Sequence, residues 1–209
     1  MEYRMKNFTY TSLVLGLVRT NCYILSAPAT GETYIFDPDG PADQILEHLT
    51  EDQRRSCTIL LTHGHFDHMG AAKELQLVLN ADVYIHTADQ ELLLGNVPGL
   101  RCAPPPERCS PFTKGKAWPF AGRHITFLHT PGHTPGSVCY LFDNLLFSGD
   151  TLFKDCIGRT DLPGGCDADM KRSLLKIISL QGEYAVFPGH GPATSLDDER
   201  GYNPYFFTI

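Results

Sequence analysis

The stretch Thr58-Ile-Leu-Leu-Thr-His-Gly-His-Phe-Asp-His-Met-Gly70 carries the densest group of metal-ligating side chains in the sequence. A β-branched, apolar run passes directly into His63-x-His65-x-Asp67-His68. Chance placement would give this pattern in only about one such chain in a thousand. His63 and His65 are two apart in an extended segment and point to one side, whereas Asp67 and His68 lie past the turn and reach a neighbouring position. One loop can therefore feed two adjacent cation positions. Imidazole with carboxylate suits zinc, iron(II) or manganese, and the cluster contains no thiolate.

Four ligands are too few for a pair of cations, so other strand ends must supply the rest. Three segments have the right form. In His129-Thr-Pro-Gly-His133-Thr-Pro-Gly136 a Pro-Gly turn sets His133 at the lip of a strand. In Leu146-Phe-Ser-Gly-Asp150-Thr151 the expectation is that Gly149 lets the backbone approach a bound ion. In Val186-Phe-Pro-Gly-His190-Gly191 a strand again runs into Pro-Gly and then His. The candidate ligand set is His63, His65, Asp67, His68, His133, Asp150 and His190.

The elements that must position these groups read as alternating strands and helices. Strands are expected at 21–26, 33–36, 57–62, 83–86, 124–128, 137–142, 145–148 and 184–187. Helices are expected at 42–49, 70–80, 88–94 and 168–180, the last behind an Asp167 N-cap. The class is therefore α/β. Residues 96–120 hold six prolines and no periodicity, and read as an irregular linker or lid between two halves, about 1–95 and 121–209, of one domain.

Composition narrows the field further. A formal charge of −7 and the lack of a basic run argue against a nucleic-acid partner. The apolar stretch from Ser12 to Val18 stops at Arg19, too short for a bilayer span or a secretory signal, so a cytosolic, non-membrane location is expected. Seven cysteines without a CxxC pair fit reduced thiols. Nothing in the composition dictates an oligomeric state. Of the other histidines, His48 reads as solvent-facing, His124 and His129 as strand residues, and His86 as structural.

HGHFDH, HTPGHTPGS, SGD and PGHG, in this order, resemble the metallo-β-lactamase superfamily, and within it the glyoxalase II (hydroxyacylglutathione hydrolase) branch in a short, single-domain form. The resemblance implies a four-layer αβ/βα sandwich of two mixed sheets with a binuclear site along one edge. It implies that His63, His65 and His133 bind one metal, that Asp67, His68 and His190 bind the other, and that Asp150 bridges them. Two divalent ions, zinc first with iron or manganese as options, would generate a bridging hydroxide to cleave a thioester such as S-lactoylglutathione. Asp67 and Asp150 are the candidate catalytic carboxylates, with Asp67 in proton transfer. The substrate is expected to be a small anion, met by Lys154 and Arg159; the alternative for Arg159 is an ion pair with Asp161. Other readings on the same fold are a mononuclear-iron persulfide dioxygenase, a lactone or phosphodiester hydrolase, and a non-catalytic metal-binding module. Class B lactamases are set aside, because the common ones replace a ligand His and the bridging Asp.

Overall fold

The structure is a computed structural model that describes residues 2–4 and 7–208. The first sheet has the order β1 (Glu2–Arg4), β2 (Thr9–Leu15), β3 (Thr20–Ser26), β4 (Thr33–Phe36), β5 (Cys57–Leu60), β6 (Asp82–His86) and β7 (Ser110–Phe112). The second runs β15 (Thr194–Ser195), β14 (Ala185–Pro188), β11 (Leu145–Gly149), β10 (Val138–Phe142), β9 (Arg123–His129) and β8 (Trp118–Phe120). A small hairpin, β12 (Leu152–Phe153) with β13 (Cys156–Ile157), follows β11. The helices are α1 (Ala42–Leu46), α2 (Glu51–Arg54), α3 (Phe66–Met69), α4 (Ala72–Leu79), α5 (Gln90–Leu93), α6 (Asp167–Ile178) and α7 (Leu196–Tyr202). No helix among the described residues is long and apolar enough to cross a membrane.

Alternation along the strands explains the layering. Ile35, Ile59, Val83 and Ile85 turn one way and pack with Ala42, Ile45, Ala72 and Leu75 of the helices on the first sheet. Their neighbours Tyr34, Phe36 and Leu60 turn the other way, into a core shared with Tyr140, Phe142, Phe147 and Phe187 of the second sheet. Cys139, Leu146 and Val186 leave that core from the second sheet's far side and meet Met170, Leu174 and Ile177 of α6. Small aliphatic side chains thus face helices and aromatic ones face the opposing sheet, as a period of two requires. The result is a four-layer sandwich of two mixed sheets, helices outside. The aromatic core is a net of mostly edge-to-face contacts in which Phe147 stacks on both Phe36, at 4.4 Å between centroids, and Phe187, at 5.2 Å.

Strand direction decides where the loops go. In the first sheet β4, β5, β6 and β7 are parallel. In the second, β9 and β11 are each antiparallel to β10, and β14 is parallel to β11. β4, β5 and β6 therefore share one direction, and β9, β11 and β14 share another, so each sheet delivers three loops from the same end.

Several elements differ from the expectations. The 96–120 segment is no uniform linker, because it contains β7, the edge of the first sheet, and β8, the edge of the second. Asp167 is the first residue of α6, and the N-cap is Cys166, with no side-chain cap bond. The expected 42–49 helix ends at Leu46, and a separate α2 follows, started by a capping box in which Thr50 and Gln53 exchange hydrogen bonds.

Candidate metal centre

All seven candidate ligands arrive at the ends of those co-directed strands. β5 leads to His63 and His65, and the single turn of α3 carries Asp67 and His68. β9, β11 and β14 lead to His133, Asp150 and His190. One ligand atom from each residue groups as His63, His65 and His133; as His63, His68 and Asp150; and as Asp67, His68 and His190, each set within 4.8 Å. The two triads expected for two cations therefore adjoin, with Asp150 against both. Its Oδ1 is 3.4 Å from His68 Nε2, and its Oδ2 is 3.6 Å from both His133 Nε2 and His190 Nε2.

Hydrogen bonding behind the imidazoles settles which nitrogen holds the hydrogen. Asp37 Oδ2 accepts from His68 Nδ1 at 2.9 Å and from the Thr62 hydroxyl at 2.7 Å. Because Thr62 Oγ1 spends its hydrogen on Asp37, its 3.1 Å contact with His63 Nδ1 must be one in which His63 donates. His133 Nδ1 donates to the Arg159 carbonyl at 2.8 Å. In their neutral forms His63, His68 and His133 thus all present an Nε2 lone pair to the centre, which is how a metal-ligating histidine is normally oriented. His63 Nε2, His68 Nε2 and Asp150 Oδ1 are buried and have no hydrogen-bond partner. Buried polar atoms are rarely left so, and a cation satisfies lone pairs that no donor reaches. The residues fit a pair of divalent ions.

Electrostatics favours the same occupant. Burial, with His68, His65 and His133 close by, pushes the His63 imidazole well below its ordinary pKa. Burial and His133 bring His65 down to about 4, so both rings are neutral at pH 7. Burial opposes charge on His68 too, but Asp150 and Asp37 outweigh it and raise the ring's pKa. Burial likewise opposes ionisation of Asp150, yet His68, His133 and His190 hold its carboxyl well below the usual carboxylate range. A site that keeps Asp150 ionised beside neutral His63 and His65 rings is built for cations.

Glycines fit the centre in a way that differs from the sequence reading. Gly149, at φ +49°, accommodates Thr62: an added Cβ would lie 2.6 Å from Thr62 Cβ. The glycine that lies against the ligands is Gly189, whose added Cβ would lie 2.6 Å from His68 Cε1 and closer to Asp150 Oδ1. Lys154 and Arg159 are both exposed. The Arg159 guanidinium is held by Asp161 through bonds of 2.6 and 2.7 Å, the ion-pair alternative.

Two supports were missed in the sequence. Asp37 follows β4 as His63 follows β5, yet Asp37-Pro-Asp-Gly reads first as a turn. Asn21 of β3 donates from its amide to the carbonyls of Pro188 and Gly191 at 2.9 and 2.8 Å, and its N–H bonds Gly189 O at 2.7 Å. A bridge between Thr20 and His190 continues this contact. The first sheet therefore holds the last ligand loop of the second. Among the remaining histidines, His86 stacks on His129 at 4.1 Å, and His129 Nε2 bonds the Pro135 carbonyl, a structural pair.

Residues 15–190 match the family described as the metallo-beta-lactamase superfamily. The hydroxyacylglutathione hydrolase of Haemophilus influenzae is 31% identical, over 82% of this chain and 85% of its own. Among solved structures, the B3 metallo-β-lactamase BLEG-1 superposes with a TM-score of 0.79 at 35% identity, over 94% of this chain and 99% of its own. A protein crystallised in a di-iron-bound form gives 0.80 at 34%, over 93% and 99%.

Proposed function

Since the chain belongs to the metallo-β-lactamase superfamily, we propose that it is a binuclear metallo-hydrolase that cleaves thioesters of hydroxy acids with a small anionic thiol, S-lactoylglutathione foremost. The observation that carries this reading is the pair of adjoining candidate triads with Asp150 against both. His63, His65 and His133 would hold one ion, Asp67, His68 and His190 the other, and Asp150 both; zinc is the ion proposed, with iron and manganese suited to the same donors. When bound, the ions supply Lewis acidity toward the thioester carbonyl and lower the pKa of a coordinated water.

The chain's own residues do the rest. Asp37, Thr62 and the Arg159 carbonyl fix the imidazole tautomers. Asp67, with 13% of its side chain exposed and its Oδ2 3.3 Å from His190 Nε2, would take the proton that the attacking water gives up. A thiolate is a weakly basic leaving group, so no separate general acid is required. Two divalent ions outweigh the charge of two carboxylates, which favours an anionic substrate; Lys154, exposed beside the β12–β13 hairpin, would meet its far end, with Arg159 once freed from Asp161. Likeness to the Haemophilus hydrolase supports the thioester. All seven cysteines are free, in keeping with a reducing, cytosolic setting.

The test is hydrolysis of S-lactoylglutathione by protein loaded with zinc, iron or manganese and freed of excess metal. A kcat/KM above about 10⁴ M⁻¹ s⁻¹ is expected. Background rates with every metal would refute the thioester reading. The likeness to BLEG-1 favours β-lactams as the second reading, and these are assayed in parallel.

A further inference from the structure

We infer that Asp89 is a positioning residue that locks together the two loops of the first cation site and, through them, sets how tightly that site holds a divalent ion. The inference rests on the metal-centre reading above.

Asp89 ends the short 3₁₀ turn Thr87–Asp89 after β6 and is wholly buried. Among the described residues no lysine, arginine or histidine forms an ion pair with it. Its partners are three neutral donors. Oδ2 accepts from Gly64 N at 2.9 Å and from Thr134 Oγ1 at 2.7 Å, and Oδ1 accepts from Gly136 N at 2.6 Å. Gly64 stands between His63 and His65, and Thr134 follows His133. One carboxylate therefore ties a loop of the first sheet to a loop of the second at the point where His65 Nδ1 and His133 Nε2 come within 2.9 Å. Both glycines are shaped to it: a Cβ on Gly136 would lie 2.6 Å from Asp89 Cγ, and one on Gly64 would lie 3.2 Å from Asp89 O.

A full negative charge is an expensive linker. Burying a carboxylate without a cationic partner is costly, and two loops could be joined by neutral groups. What the charge adds is an acceptor at every lone pair. An amide in its place must turn its NH₂ either toward Gly136 N–H or toward Gly64 N–H, because both are donors. Whichever is orphaned, the disturbed loop belongs to the His63, His65 and His133 triad, and the Asp67, His68 and His190 triad keeps its own supports on Asp37 and Asn21.

Metal-free Asp89→Asn and parent protein are titrated with zinc against a chromophoric chelator to give two site affinities, with the melting temperature recorded beside them. Outer partners of metal ligands typically carry ten- to hundredfold in affinity. Asp89→Asn is expected to weaken one site by that factor while the other stays within twofold. Thr134→Ala, which removes one of the three donors, is expected to weaken the same site by about threefold and serves if Asp89→Asn does not fold. Unchanged affinities at both sites in either folded variant, even with a lowered melting temperature, would overturn the inference and leave Asp89 a fold-stabilising residue. A parent protein that binds no zinc would instead bring down the metal-centre reading.

Discussion

Replacing Asp37 by Asn tests whether hydrogen-bond logic behind the imidazoles governs metal retention. The backbone there is left-handed, φ +48°, a conformation Asn adopts as readily as Asp, so the substitution changes only the side chain. Asp37 Oδ1 accepts Thr62 N–H at 2.7 Å, and Oδ2 accepts the Thr62 hydroxyl and His68 Nδ1–H. If the amide NH₂ takes the Oδ1 position, it faces the Thr62 N–H donor to donor, and a buried orphan costs about 1–3 kcal/mol. If it takes the Oδ2 position, His68 can bond it only through an Nδ1 lone pair. The ring hydrogen then moves to Nε2, the atom 3.4 Å from Asp150 Oδ1, and the second site loses a ligand. Loss of such a partner is worth about ten- to hundredfold in affinity, or about 1.4–2.7 kcal/mol. Zinc titration is expected to show this loss at one site with at least a tenfold fall in hydrolysis, and imidazole ¹⁵N spectra of the metal-free protein, recorded above the raised pKa of His68 where the ring is neutral, to show the Nε2–H tautomer. Retention of the Nδ1–H tautomer together with parent-like affinity would refute the reasoning.

Two further outcomes are expected. In Gly158→Ala the new Cβ would lie 2.9 Å from the Asp150 carbonyl carbon and closer to its oxygen; relief demands a shift of about 1 Å or more in the backbone that carries the Asp150 carboxylate. Displacements near 1 Å cost about a hundredfold in rate, so a turnover within threefold of the parent would contradict the placement of Asp150. The His86 ring is held down to about 4 by burial and His129. The unfolded chain protonates first, so this contribution to stability is present above about pH 6.5 and is lost as pH falls toward 4, on the order of 1–3 kcal/mol. His86→Asn keeps an acceptor for the Ala88 N–H; urea midpoints of the metal-free proteins should show a shallower acid decline for the variant, and parallel curves would contradict the assignment.

The candidate ligands were legible because their segments each follow a strand with glycine or proline punctuation close by, so side-chain chemistry and backbone break fall together. The strands that were missed lack that contrast. β2 is half-buried along most of its length, which blurs its alternation. β7 and β8 are three residues long and centred on Pro111 and Pro119; proline is admissible there because both are edge strands, but in a sequence it signals a loop. Asp167 looked like a cap because acidic residues favour both the cap and the first turn, and only geometry separates the two. Asp37 and Asp89 escaped notice because a carboxylate bonded to backbone and hydroxyl donors forms no motif with a fixed spacing.

The bridge from Thr20 to His190 also has a consequence in time. A ribosome releases the HGHFDH loop roughly 120 residues before His190, an interval of about 6–25 s at usual elongation rates. Through that interval β3 has no partner in the PGHG segment, and the nascent chain can offer an ion only an open, partial set of donors. Capture of cations in the final geometry therefore waits until the PGHG segment has been made, so metal uptake is tied to synthesis of the second half of the fold.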